Sequence, residues 1–273
     1  MYFITISEML GTNGEKIAKK VAEELDYAFY GEKELYGAAD EMDFLVDIKQ
    51  LDEKSPALLE RLFSEKPKIY LDRLQSVIYE VAKKGNVVFF GRGSQLLLQS
   101  FDCAFHVLVT GSMEKRVKRV MDERYASREV VEKIVHQSDH DKRGFIRFAF
   151  DEDWLNPHLY DLILNTDKLS VDSASKMIVN GARSEEIKSC GIDSVANLRK
   201  LSIQRQIESR LLETDLMSSR LFFTTEDGET VRFFGFVNSE EEKEKVEALA
   251  KKVKDIKKVD NDLVVMRTPI SSG

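Results

Sequence analysis

The stretch ITISEMLGTNGEKIAKKVAEEL, residues 4–25, decides the reading of the fold. It begins as a short apolar strand, passes through a turn carrying Gly11 and Gly14, and continues as an amphipathic helix to Leu25. A strand–turn–helix of this kind can hold phosphate. The first helical N–H groups have no intrahelical partner, and the helix dipole adds to their pull on an anion. Glycines at 11 and 14 let backbone approach a ligand closely, with Thr12 and Asn13 between them. The standard phosphate loop reads G-x-x-x-x-G-K-[ST]. Here its first glycine is Glu8, its second is Asn13, and its lysine is Gly14. The layout is present while the diagnostic residues are not, so an ordinary strand–helix turn is an equal reading of this stretch alone.

Outward from that stretch the pattern repeats. YLDRLQSVIYEVAKKG reads as an amphipathic helix with Leu71, Leu74, Val77, Ile78 and Val81 on one face, stopped by Gly85. NVVFFGRG, FHVLVTG and YDLILNT read as strands apolar on both faces, which belong in parallel sheets covered by helices. SMEKRVKRVMDERY and the run from Ser127 to Phe150 read as the helices between them. The segment from Tyr30 to Pro67 is acidic and helical in pattern, with a break at Ser55-Pro56. The alternation predicts a three-layer α/β domain.

After Val179 the grammar changes. LRKLSIQRQIESRLLETD is a helix, SRLFFTT and ETVRFFGFV are strands joined by the turn signal EDG, and SEEEKEKVEALAKKVKD is a helix capped by Ser239. IKKVDNDLVVM closes an α-β-β-α-β unit. The expected division is an α/β domain over 1–180, a linker over 181–198, a small α+β domain over 199–267 and a tail over 268–273.

Bulk numbers narrow the function. The chain has 273 residues, 42% apolar and 33% charged, with net charge −7. An acidic balance argues against a nucleic-acid partner, which needs a basic face. No apolar run approaches ~20 residues, so no transmembrane segment is expected. The opening MYFITIS has no basic n-region or cleavage site, which points to the cytoplasm. Cys103 and Cys190 are far apart in sequence and read as two free thiols.

Several cations stand where a phosphate could meet them. Arg92 lies between two glycines at the end of a buried strand, where open parallel sheets bind ligands and an arginine can grip phosphate with two N–H groups. SDHDKRGFIRFAF gathers Lys142, Arg143 and Arg147, the kind of cluster a phosphoryl-transfer lid requires. Arg116, Arg119 and Arg124 read mainly as a solvated helix face. His136 and His140 are spaced i, i+4 without a third ligand, so no metal site is expected. Trp154 and Tyr160 read as core packing.

In order and spacing, ITISEMLGTNGEKIAKKVAEEL, FYGEKEL, NVVFFGRGSQLLL, EKRVKRVM, SDHDKRGFIRFAFDEDW and YDLILNTDKLSVDSA resemble the cytidylate kinase-like family over roughly residues 1–180. The resemblance implies a P-loop kinase fold and phosphoryl transfer from ATP with Mg²⁺ to CMP or a similar monophosphate. It would place Gly11, Thr12, Asn13, Gly14, Glu15 and Lys16 around donor phosphates and Arg92 beside the acceptor. Lys142, Arg143 and Arg147 would form the lid. Catalysis would then rest on Lys16, Lys142, Arg143 and Arg147. This chain departs from the family's loop, S-R-x-Y-G-S-G-G-R-E-I: Glu8 replaces the arginine after Ser7, Glu15 replaces the second arginine, and Asn13 replaces a glycine. Like charges at close range near a surface cost on the order of 1–4 kcal/mol, so two carboxylates beside a polyphosphate are unfavourable. The alternative reading is a nucleotide-binding sensor without turnover. The second domain looks like a BON domain, marked by Gly235 in its second strand and by Val259, Asn261, Leu263 and Val265 in its last. That likeness implies an interaction module for a protein or an apolar ligand.

Overall fold

The computed structural model describes residues 3–44, 67–187, 192–218, 220–225 and 228–266. The Ser55-Pro56 break and the 268–273 tail lie outside the described residues. The chain forms two compact units, one of Met1–Ser64 with Lys84–Gly191, the other of Glu65–Lys83 with Ile192–Gly273.

The first unit is a parallel sheet of five strands: β1 (Phe3–Glu8), β2 (Ala28–Tyr30), β3 (Val87–Phe90), β4 (Ala104–Thr110) and β5 (Leu162–Asn165), in the order β2-β3-β1-β4-β5. β1 is central, with Ile4 beside Val88 on one side and beside Phe105 on the other. Central strands have apolar residues on both faces because helices cover both faces of such sheets. On one face α1 (Gly14–Leu25) and a late helix, Val171–Ala182, pack Ile17, Val21, Ile178 and Val179 against Ile4, Ile6, Val107 and Val109. α2 (Glu32–Asp40) follows β2. The short α4 (Ser94–Leu97) follows β3, α5 (Met113–Arg124) follows β4, and α6 (Arg128–Phe150) packs Val131 and Val135 on Val117 and Val120 of α5. The late helix is α7.

The helix α3 (Pro67–Ala82) belongs to the second unit. The sequence reading keeps it inside 1–180. Its polar partners explain the difference: Arg73 pairs with Glu213 at 2.6 Å, Ser202 Oγ donates to the Ser76 carbonyl at 3.4 Å, and Lys83, the residue just after the helix, pairs with Asp255 at 2.6 Å. α8 (Ile192–Glu213), which supplies two of those partners, starts within the stretch read as a linker.

The rest of the second unit is β6 (Leu221–Thr225), β7 (Thr230–Val237), α9 (Glu240–Lys251) and β8 (Lys258–Val265). β6 and β7 are antiparallel, β7 and β8 parallel, in the order β6-β7-β8. Ser239 caps α9 by accepting from the Glu242 N–H at 3.1 Å, and three glutamates fill its first turn, where the helix dipole favours them. Ile203, Ile207 and Leu211 of α8 join Val231, Phe233, Val246 and Leu263 in the core. Gly235 has φ +112°, and a Cβ there would stand 2.1 Å from the Arg220 carbonyl oxygen, so only glycine fits the mark on which the domain was read.

The expected α/β sheet followed by a small α+β unit is what the chain forms. Cys103 is buried and disulfide-bonded, which corrects the reading of free thiols; Cys190 lies outside the described residues. Separation along the sequence says little about separation in the fold, and pairing depends on a Cα distance under about 7 Å. Among the described residues no helix is long and apolar enough to cross a membrane.

Candidate functional site

Two turns at the carboxyl ends of β1 and β3 build the site. After β1 the chain enters the loop Met9–Asn13. Asn13 takes a left-handed conformation (φ 62°) and α1 begins at Gly14. The first amide of that helix is not left open. Gly14 N–H donates to Glu8 Oε2 at 2.8 Å, and Thr12 Oγ1 lies 3.3 Å from the same oxygen. A Cβ at position 14 would come within 2.5 Å of Glu8 Cβ and Oε2, so the glycine is what lets the carboxylate fold back over the loop. Burial pushes the Glu8 carboxyl above its ordinary range, against the opposing pull of Lys142, the Gly14 N–H and the Thr12 hydroxyl.

The other loop residues face elsewhere. Thr12 is fully buried and its hydroxyl donates to the Met9 carbonyl at 2.8 Å. Lys16 is exposed and spans Asn13 Oδ1 at 3.3 Å and Glu123 at 2.5 Å. Glu15 pairs with Lys19 at 2.7 Å on the outer face of α1. Gly11 turns its carbonyl toward Arg119 Nη1 at 3.4 Å, and Arg119 also reaches Thr166. Arg116, read from sequence as surface, is 1% exposed. It grips Asp139 of α6 with two bonds of 2.8 and 2.6 Å and donates through Nε to the Leu10 carbonyl at 2.8 Å. These two arginines brace the loop from behind.

After β3 the turn Gly91-Arg92-Gly93 opens on a cleft of about 130 Å³. Its walls carry Ser7 and Glu8 from β1, Arg92 and Gln95 beyond β3, Lys142 and Phe145 from α6, and Trp154. Arg92 is buried with φ 60°; its guanidinium donates to Tyr36 Oη at 3.1 Å, lies 5.6 Å from the Tyr36 ring centroid, and meets Glu32 at 3.3 Å. Lys142 Nζ donates to the Glu8 backbone carbonyl at 2.7 Å and sits 5.9 Å from the Trp154 ring centroid. Gln95 is held by Ser7 Oγ at 3.2 Å and lies 3.4 Å from Tyr160 Oη. Tyr160 donates in turn to the Trp154 carbonyl at 2.6 Å, and burial pushes its phenol up to about 12.

Helical geometry divides the expected lid. Lys142, Phe145 and Ile146 share the α6 face that lines the cleft. Arg143 and Arg147 are exposed on the other side, and Arg147 lies 3.4 Å from Asp151. So the structure brings Arg92 and Lys142 together and turns Lys16, Glu15, Arg143 and Arg147 outward. Trp154, read as core, is buried yet walls the cleft, and its Nε1 has no hydrogen-bond partner among the described residues. Gln95 and Tyr36 were missed. The only signal for Gln95 was its place just beyond the glycine turn, and Tyr36 gave none.

The loop as folded does not fit a magnesium-bound triphosphate. Its first helical amide is engaged by Glu8, its threonine hydroxyl is buried on a carbonyl, and Lys16, the lysine that follows it in the helix, is held by Glu123.

Comparison with known proteins places the chain. A family model described as the cytidylate kinase-like family matches residues 3–168, and a BON domain model matches residues 200–267. The chain belongs to the cytidylate kinase-like family and carries a BON domain after its kinase-like part. None of the curated proteins compared matches it. The crystal structure of an uncharacterized protein from Eubacterium ventriosum is similar, with TM-score 0.54 and 22% identity, over 66% of this chain and 97% of that one. At that identity the likeness speaks for the fold. Shikimate kinase from Bacteroides thetaiotaomicron is 13% identical over 67% of this chain and 99% of that one, with TM-score 0.41. Deoxyadenosine kinase from M. mycoides with bound dATP is 15% identical over 67% of this chain and 100% of that one, with TM-score 0.38. Neither score bears on function.

Proposed function

We propose that this kinase-like protein binds a nucleoside monophosphate, CMP or a close relative, in the cleft after β3 and acts as a nucleotide sensor rather than a fast kinase. One observation carries the reading: Arg92 and Lys142 arrive from separate elements at one cleft that also offers Gln95, Ser7 and the Trp154 indole. Two cations suit a phosphate, while an aromatic wall and a side-chain amide suit a base. The unsuited loop after β1 supports a sensor over a kinase.

The second unit supports a role in reporting. Along β6 and β7 the inward residues fill its core, whereas Phe222, Phe234 and Phe236, with Val264 of β8, are exposed. Phe222 and Phe234 stack with centroids 5.7 Å apart. Contact with a protein partner or an apolar ligand through that face fits what a BON domain implies.

Phosphoryl transfer from ATP with Mg²⁺ is the second reading. It is favoured by Lys142, which touches the opening loop through the Glu8 carbonyl and also lines the cleft. Titration calorimetry with CMP and then with ATP–Mg²⁺, followed by a coupled kinase assay, tests both. The expected result is CMP affinity in the micromolar to sub-millimolar range, roughly −8 to −5 kcal/mol, without ADP release above background. Turnover that collapses in Lys142→Ala would replace the sensor by the kinase. Absence of CMP binding at millimolar concentration would remove both.

A further inference from the structure

Two carboxylates of the opening loop have different fates. Glu15 is drawn off by Lys19 on the outer face of α1. Glu8 is held from both ends: its carboxylate accepts from the Gly14 N–H at 2.8 Å, and its carbonyl accepts from Lys142 Nζ at 2.7 Å. The Gly14 amide is the first of a twelve-residue helix, the group that an anion at a helix N-terminus would take. The clearance that a Cβ would fill at position 14 is taken by the Glu8 carboxylate, with the Thr12 hydroxyl also beside it at 3.3 Å. Lys16, the nearest cation in the helix, is on Glu123 instead.

We infer that Glu8 is a built-in surrogate for phosphate: its carboxylate occupies the anion position of the opening loop and keeps the phosphates of a nucleoside triphosphate out of it. The argument is one of competition. A group attached to the same strand reaches the amide at an effective concentration that short tethers set in the millimolar range or above. An incoming phosphate must displace it and then meet its charge at close range. The inference goes beyond monophosphate binding after β3 and does not depend on it.

The test reads the loop itself. Full-length ¹⁵N-labelled protein is titrated with inorganic pyrophosphate, following the Gly14 amide resonance, for the native chain, Glu8→Ala and Glu8→Gln. The Gln variant keeps the shape and removes the charge, so it serves if the Ala variant does not fold. The native Gly14 resonance is expected to stay still at millimolar pyrophosphate. In either variant it should move, with at least tenfold higher affinity. The inference fails if the native resonance titrates as tightly as the variants'. It fails equally if no resonance moves in a variant that melts cooperatively near the native temperature, because the loop would then hold no phosphate even when vacated. CMP titration of the native chain is a separate arm: its failure would sink the proposed function and leave this inference standing.

Discussion

The turn after β1 and the turn after β3 begin alike. Each leaves a buried parallel strand, holds a non-glycine residue in the left-handed region (Asn13 at φ 62°, Arg92 at φ 60°), and starts a helix. They end differently. The first folds a carboxylate back onto its own amide, whereas the second buries a guanidinium beside a cleft. In each case the side chain at the strand end decides what the turn can bind. At the first turn the carboxylate takes the Gly14 amide for itself, whereas at the second Arg92, held by Tyr36 and Glu32, sets a positive charge beside the cleft.

The most severe way to break this comparison is to remove what braces the first turn. Arg116→Ala would strand Asp139 and free the Leu10 carbonyl. Breaking a buried ion pair costs about 3–5 kcal/mol, to be seen as a lower urea midpoint. Arg116→Lys should recover little, since lysine cannot span both Asp139 oxygens.

The second turn can be emptied by Arg92→Ala. Loss of a charge-assisted contact is worth about 1.5–3 kcal/mol, so CMP affinity should fall roughly tenfold to a hundredfold by calorimetry. Unchanged affinity would place the phosphate elsewhere.

A milder effect sharpens the contrast through pH. Burial raises the Glu8 carboxyl above 4.5, with Glu15 adding to the rise, while Lys142, Gly14 and Thr12 oppose it. A folded value above the unfolded one gives stability that is full below the unfolded value and is lost as pH rises through the folded one. Glu8→Gln does not titrate. Its melting temperature relative to the native chain should therefore rise between acidic and neutral pH, by about 2–4 °C for each kcal/mol removed. A difference that stays flat with pH would mean the carboxyl is not desolvated.

The smallest effect is expected at Lys16. Its pair with Glu123 is exposed, so Lys16→Ala should change stability by about 0.5 kcal/mol or less and leave CMP binding alone. A large loss of nucleotide affinity would show that Lys16 swings back to the loop.

The sequence by itself determined the order of elements. Runs such as NVVFFG and FHVLVTG can be stable only as strands covered on both faces, and the changed pattern after Val179 announced the second unit. It also supplied the residues of the opening loop and the misfit of Glu8. Such features are written in neighbours a few positions apart, where side-chain period and turn chemistry act. Tertiary structure alone decided who meets whom. Glu8 turns onto Gly14, while Lys142 crosses 134 positions to the Glu8 carbonyl. The α6 surface sends Lys142 inward and Arg147 to solvent, Arg116 leaves the surface for Asp139, and α3 joins α8. Each of these depends on which charges lose water together when helices and strands close up. That choice belongs to the packed molecule, because no local pattern encodes which side chains will share a buried space, whether the partner is six positions along, as Gly14 is from Glu8, or 134, as Lys142 is.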